Sequence, residues 1–222
     1  MKSAFELHKD TPKGWYYKSI KIDPLQRYWH KKRFREVSKL IQEVNGKVLD
    51  IGCADGIFSK VIFDKTRAKG LIGIDIVPSS IDWARNHWKT IRKMKFRVGD
   101  AEKLNFKKNS FDAVFALEML EHVNRPKEVI KEVKRVLKKD GYAIFLVPTD
   151  SILFRLIWFL WVHFYPRGYV WKETHLQTFR NNILPKICEQ EGFIIENDKK
   201  FILSMLQAVK VRRRNKYGDY KT

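Results

Sequence analysis

A chain of 222 residues is long enough to bury one sizeable core and too short for two full domains joined by a linker. Its 44% hydrophobic and 32% charged residues, with no repeat and no Pro-rich or Gly/Ser-rich stretch, exclude a disordered or fibrous protein. The formal charge of +20, from 45 Lys+Arg against 25 Asp+Glu, favours a polyanionic partner, although Lys31-Lys32-Arg33, Lys138-Lys139 and Arg212-Arg213-Arg214 lie in separate segments, as ordinary solvated faces also do. Cys53 and Cys188 stand far apart and away from any His/Cys cluster, so neither a disulfide framework nor a metal site is expected. Met1 to Lys13 is polar and lacks the apolar run of a signal peptide, and the expectation is an intracellular, cytoplasmic protein.

In chain order, Asp23 to Val44 reads as one helix with Leu25, Trp29, Phe34, Val37 and Leu40 available for burial, and residues 1–46 as a helical cap over the sheet or the site. From Lys47 the chain alternates short β-branched runs with longer amphipathic stretches, the rhythm of a parallel sheet with crossover helices. Lys47 to Ile51 is a strand, Gly52 to Gly56 a small-residue turn, and Phe58 to Lys65 a helix; Leu71 to Ile76, then Ile81 to Lys93 behind Pro78-Ser79-Ser80, repeat the unit. Lys95 to Val98 and Asp112 to Ala116 are the next strands. Pro126 opens a helix with Val129, Ile130, Val133, Val136 and Leu137 on one face and Gly141 just past its end. Tyr142 to Val147 is the fifth strand, Thr178 to Gln190 a helix, and Phe193 to Glu196 with Ile202 to Val211 a final pair of strands. The expected fold is α/β: a Rossmann-like, doubly wound, mostly parallel seven-stranded sheet with helices on both faces. Residues 47–211 would form this domain, with an apolar insert at 150–172 after the fifth strand, and residues 212–222 a frayed basic tail.

The turn Asp50-Ile51-Gly52-Cys53-Ala54-Asp55-Gly56 lies between a strand and a helix N-terminus, where free backbone N–H groups face a ligand. An acid two residues before the first glycine repels a pyrophosphate and suits a cationic ligand, such as an amino acid carrying a sulfonium. A tight turn without a ligand is the plainer reading. Asp75, ending the second strand, stands where an acid meets ribose hydroxyls; capping the turn before Pro78 is its plainer reading.

Taken together, Val48 to Gly56, Gly73-Ile74-Asp75, Val98-Gly99-Asp100-Ala101, Phe111 to Val114 with Glu118-Met119-Leu120-Glu121-His122-Val123, and Leu137 to Tyr142 resemble the successive motifs of class I S-adenosylmethionine-dependent methyltransferases, in the branch acting on quinones and small molecules. The resemblance covers roughly Lys47 to Pro148. It implies S-adenosyl-L-methionine as cofactor, with Gly52, Cys53, Ala54 and Gly56 around its methionine portion and Asp50 near its amino group. It also implies Asp75 on the ribose, Ile76 against the adenine, Asp100 and Ala101 at the adenine edge, and Leu117 closing the site. Ala54 departs from the glycine many members carry, an added methyl tolerated if φ stays negative. His122 stands as a general base or, more plainly, as a packing residue that orients its loop.

Ile152 to Pro166 is apolar on nearly every side if helical, yet shorter than the about 20 residues that span a bilayer. It reads as a lid, as a wall for a greasy acceptor, or as an interfacial element with Trp158 and Trp161 in the headgroup zone of an anionic membrane. His175 is the leading polar candidate on the acceptor side, with His163 and Tyr165 behind it. The function expected is methyl transfer from S-adenosylmethionine to a small, hydrophobic or lipid-like acceptor by a protein that is cytoplasmic or peripheral on the membrane. Methylation of RNA, prompted by the charge, and a non-catalytic scaffold on the same fold are the rival readings.

Overall fold

The computed structural model describes residues 4–164 and 176–214. The β-branched runs pair into one seven-stranded sheet, in the spatial order β3 (Met94–Val98), β2 (Gly70–Asp75), β1 (Lys47–Ile51), β4 (Phe111–Leu117), β5 (Leu137–Pro148), β7 (Leu206–Arg213) and β6 (Phe193–Phe201). β1 to β5 are parallel, while β7 is antiparallel to both of its neighbours, as in Ala143↔Val211 and Ile195↔Val211.

Alternation along the strands feeds a core on each face. Leu49, Ile51, Val114, Ala116, Ala143 and Phe145 point to one side, where the apolar stripe Val129, Ile130, Val133 and Val136 of α6 (Pro126–Val136) covers them together with α8 (Ile183–Gln190). Val48, Ala113, Phe115, Ile144 and Leu146 point to the other, beneath α3 (Pro24–Ser38), α4 (Ile57–Thr66) and α5 (Pro78–His87). The strand order reverses direction between β1 and β4, so the strand ends there open a crevice at the C-terminal edge of the sheet.

Several expected boundaries move. The helix foreseen over Asp23 to Val44 is shorter: Asp23 accepts from the backbone N–H groups of Leu25 and Gln26 as an N-cap, and α3 stops at Ser38. Two further helices precede it, α1 (Ala4–His8) and α2 (Trp15–Ile22). β5 begins at Leu137, directly after α6, and its pairing with β4 shifts register between Phe111 and Ala113, so Lys138, Lys139 and Asp140 occupy the exposed start of a strand instead of the end of the helix. α8 starts at Ile183, because Asn181 and Asn182 adopt left-handed φ of 53° and 57° that no helix continues. β7 runs to Arg213, two residues into the segment expected to fray. The apolar run after β5 forms α7 (Ile152–Phe164). Residues 165–175 lie outside the described residues, and with them His175 and Tyr165, as do residues 215–222 of the tail.

Phe145, fully buried at the centre of β5, meets Phe193 edge-on at 6.3 Å. Phe145→Ala is expected to cost about 3–5 kcal/mol of unfolding free energy, read from urea denaturation, with the m-value unchanged.

Candidate functional site

The C-terminal ends of β1, β2 and β4 surround a cavity of about 200 Å³. Of the residues singled out from sequence, Gly52, Ala54, Asp75, Ile76, Asp100, Ala101 and His122 line it. A smaller cavity, about 50 Å³, continues from it past Gly52 and Ala54 and takes in Asp50, Cys53 and Leu117. Gly56 lines neither. Its φ of 76° starts α4, and a Cβ there would come within 2.9 Å of Phe96 and Trp88, so the glycine serves packing.

Asp75 organises the crevice. One carboxylate oxygen accepts from Ala54 N–H at 2.9 Å and the other from Val77 N–H at 2.9 Å, binding the first turn to the second. This resolves the question raised by Ala54 against expectation: its φ is +44°, the left-handed region, a conformation costing an L-residue roughly 1–2 kcal/mol. Glu118, on the facing loop after β4, is also left-handed at φ 52° and is anchored by its N–H to Leu146 C=O at 2.7 Å. Two strained non-glycine residues flank one cavity.

The acids here are held away from water. Burial pushes the Asp50 carboxyl up to about 7 against the opposing pull of Ser59, whose hydroxyl donates at 2.6 Å, and Asp75 raises it further. Burial also raises Asp75, and takes Asp55 to about 6 although Tyr17 and Ile57 N–H donate to it. Opposite Asp50, in the smaller cavity, stands Arg33 of α3, ion-paired with Glu118 and with its Nε buried and unpartnered. A pocket holding a raised acid and a cation with a free donor matches the ammonium and carboxylate of an amino acid.

A second cavity of about 200 Å³ lies beside the first, between α2, α3 and α7, walled by Trp15, Trp29, Trp158 and Trp161. Tyr16, Glu118 and His122 line both cavities, which therefore meet at those three side chains. His122 packs edge-on against His8 at 4.5 Å, and its Nε2 is 3.9 Å from Glu121 Oε1. Glu121 faces the second cavity only; it is 2% exposed, and its Oε2 has no hydrogen-bond partner. Burial raises its carboxyl to about 8, with Asp150 adding to the shift and Arg33 opposing it. Trp158 and Trp161 thus face this cavity. His163 lies on the exposed side of α7, its ring nitrogen against the Phe159 carbonyl, and does not line the cavity.

The N-terminal segment, expected as a cap over the sheet or the site, completes the cavity through residues that the sequence did not single out. His8, Thr11 and Tyr16 roof the first cavity. Tyr17 packs tilted or edge-on among Trp83, His87 and Trp88 while its N–H donates to Asp55 at 2.8 Å. Arg33, inside a basic run, reads as solvated until the fold buries it. Among the described residues no group of three or more His, Cys, Asp or Glu is arranged to hold a metal ion.

Residues 49–145 match the family described as methyltransferase domain. That stretch carries β1 to β5 and the crevice at their ends, so over this part the chain is similar to methyltransferase domains. The raised Asp50, the free Arg33 donor and the small-residue turn fit the amino-acid end of S-adenosyl-L-methionine. The chain is 28% identical over 145 residues to a ubiquinone biosynthesis O-methyltransferase of Coxiella burnetii, covering 65% of this chain and 61% of that one. It is 37% identical over 110 residues to the enzyme of that name from Pelagibacter ubique, covering 49% and 44%. It therefore spans less than two thirds of these relatives' lengths. Its fold superposes on the PH0226 protein of Pyrococcus horikoshii with a TM-score of 0.65 at 23% identity, over 95% and 96% of the two chains.

Two outcomes test this geometry. Asp50 binds its proton in the folded state up to about pH 7 and in the unfolded chain only up to about 4, so its burial lowers stability progressively as pH rises between those values. Asp50→Asn removes that slope. Relative to wild type, the variant is expected to gain on the order of a few kcal/mol in unfolding free energy between about pH 4 and about pH 8, measured by chemical denaturation at each pH. Ala54→Gly relieves the left-handed methyl and is expected to raise stability by up to about 1 kcal/mol in the same assay.

Proposed function

We propose that the protein transfers the methyl group of S-adenosylmethionine to a hydroxyl on a small apolar, ring-bearing acceptor held in the tryptophan-walled cavity. The observation that carries this reading is the meeting of two cavities of equal size at Tyr16, Glu118 and His122, one rich in carboxylates and small residues, the other in aromatic rings.

In this reading Asp75 takes the ribose hydroxyls, Ile76 the adenine face, Asp100 and the Ala101 backbone the adenine edge. Gly52, Cys53 and Ala54 border the methionine chain, with Leu117 closing it. Asp50 and Arg33 take the ammonium and the carboxylate. The bound cofactor supplies an electrophilic methyl on a cationic sulfur. The protein's share is to hold the acceptor oxygen in line with that methyl, to exclude water, and to take one proton. Glu121 is the proton acceptor we assign, ahead of His122, because it lines the acceptor cavity alone and its buried Oε2 has no hydrogen-bond partner. The groups facing it are Tyr16, His30, Arg33, His122 and Asp150. Burial keeps His30 uncharged at neutral pH, so Arg33 is the cation that draws Glu121 back toward ionisation. His122 then orients the loop beneath it, and His175 has no role assigned.

Purified protein incubated with methyl-labelled S-adenosylmethionine and an alkylated catechol is expected to label the catechol; label in added RNA instead, or in neither, would overturn the proposal. Glu121→Gln is expected to lower kcat by about 100-fold with donor affinity unchanged. Since the base must be ionised, wild-type kcat/KM should climb as pH rises toward about 8, and the variant should lose that limb.

A further inference from the structure

Among the described residues, none covers the outer face of α7. Its inner side is set by Phe154, Trp158, Trp161 and Val162, at helical spacing against the cavity and core. On the opposite side Ile152, Leu156, Phe159, Leu160 and Phe164 remain 47% to 88% exposed. α2 and α3 extend the same apolar surface, with Ile22, Leu25 and Tyr28 55% to 79% exposed. Leu25 lines the tryptophan-walled cavity together with Ile157 of α7, so the two exposed groups sit on either side of one opening. A surface of this kind costs free energy in water unless something covers it.

Charge identifies the cover. From Trp15 to Ser38 there are seven Lys and Arg and two acids, and both acids are engaged: Asp23 caps α3, and Glu36 is buried among Lys32, Lys39 and Lys199. Lys18, Lys21, Lys31 and Arg35 stay at the surface, and α7 adds an exposed Arg155 and no acid. An apolar centre with a basic margin is complementary to the interface of an anionic bilayer, apolar below the headgroups and negative at them. Among the described residues no helix is long and apolar enough to cross a membrane, so the contact is peripheral.

We infer that α2, α3 and α7 together form a docking surface for an anionic lipid bilayer, set around the mouth of the acceptor cavity. The docked protein opens that cavity onto the hydrocarbon, and an apolar molecule passes between bilayer and cavity without crossing water. The docking step stands on the exposed surface alone and holds whatever the acceptor is.

The test is flotation of the full chain with vesicles of phosphatidylcholine alone and with vesicles in which about a third of the lipid is phosphatidylglycerol. Wild type is expected to partition at least about tenfold more strongly into the anionic vesicles. Phe159→Ser with Leu160→Ser should reduce that partitioning about tenfold or more, with the unfolding midpoint and donor affinity unchanged. Should that pair unfold, Ile22→Ser with Tyr28→Ser reads the same surface from the other side. Failure of wild type to bind anionic vesicles at low salt would overturn the inference, as would variants that bind like wild type. Sedimentation revealing a dimer dispersed by the same substitutions would assign the face to a second copy of the chain and equally overturn it.

Discussion

The Asp75 carboxylate is the constraint on which the remainder of the site rests. It ends β2 with both oxygens committed to backbone N–H groups, of Ala54 in one loop and Val77 in the next. These bonds set the spacing of the two loops between which the crevice opens. They also hold Ala54 in a backbone region that its methyl disfavours. Gly52 beside it, at φ 72°, has no such conflict, but a Cβ there would come 2.7 Å from Met119. The turn is thus fixed by one hydrogen-bonding acid and by the lack of room around a glycine.

A second theme is burial that the surrounding donors only partly compensate. Asp50, Asp55 and Glu121 are each nearly inaccessible and each raised by desolvation, with Arg33 the buried cation among them. Natural cores rarely accumulate such groups without a ligand to settle them. Loss of solvation is distributed along the path from the small cavity past Glu118 to the tryptophan-walled one, and free energy withheld there at folding becomes available when a charged ligand arrives.

How much of this was legible in sequence follows from the range of the forces involved. The β-α rhythm from Lys47 to Val147, the small-residue turn and the acids at strand ends are local patterns, and the strands and crossover helices formed as read. So did the placement of Asp75, Asp100 and Gly52 around one crevice. What escaped depends on distant contacts. α1 and α2 are short, and α2 gains its order from rings such as Trp83 and Trp88, some 70 residues away in sequence. Arg33 sits in a basic run at the surface, and only the helix's rotation buries it. The sign of φ at Ala54 is invisible to composition, since an alanine ordinarily avoids it. The inward turn of Trp158 and Trp161 was hidden by a helix apolar on every side, which offers no stripe to orient it.

The roof of the first cavity has a practical corollary. Ala4 lines the cavity, so any polypeptide joined ahead of it is tethered to the rim of the cofactor crevice. β7 runs against its neighbours, with Arg212 beside Tyr142 at the start of the parallel strands and Leu206 beside Pro148 at their end. The chain therefore leaves the sheet after Arg213 at the edge opposite that crevice. The described chain thus starts at the crevice and ends at the far edge of the sheet, with the whole length of the parallel strands between its two ends.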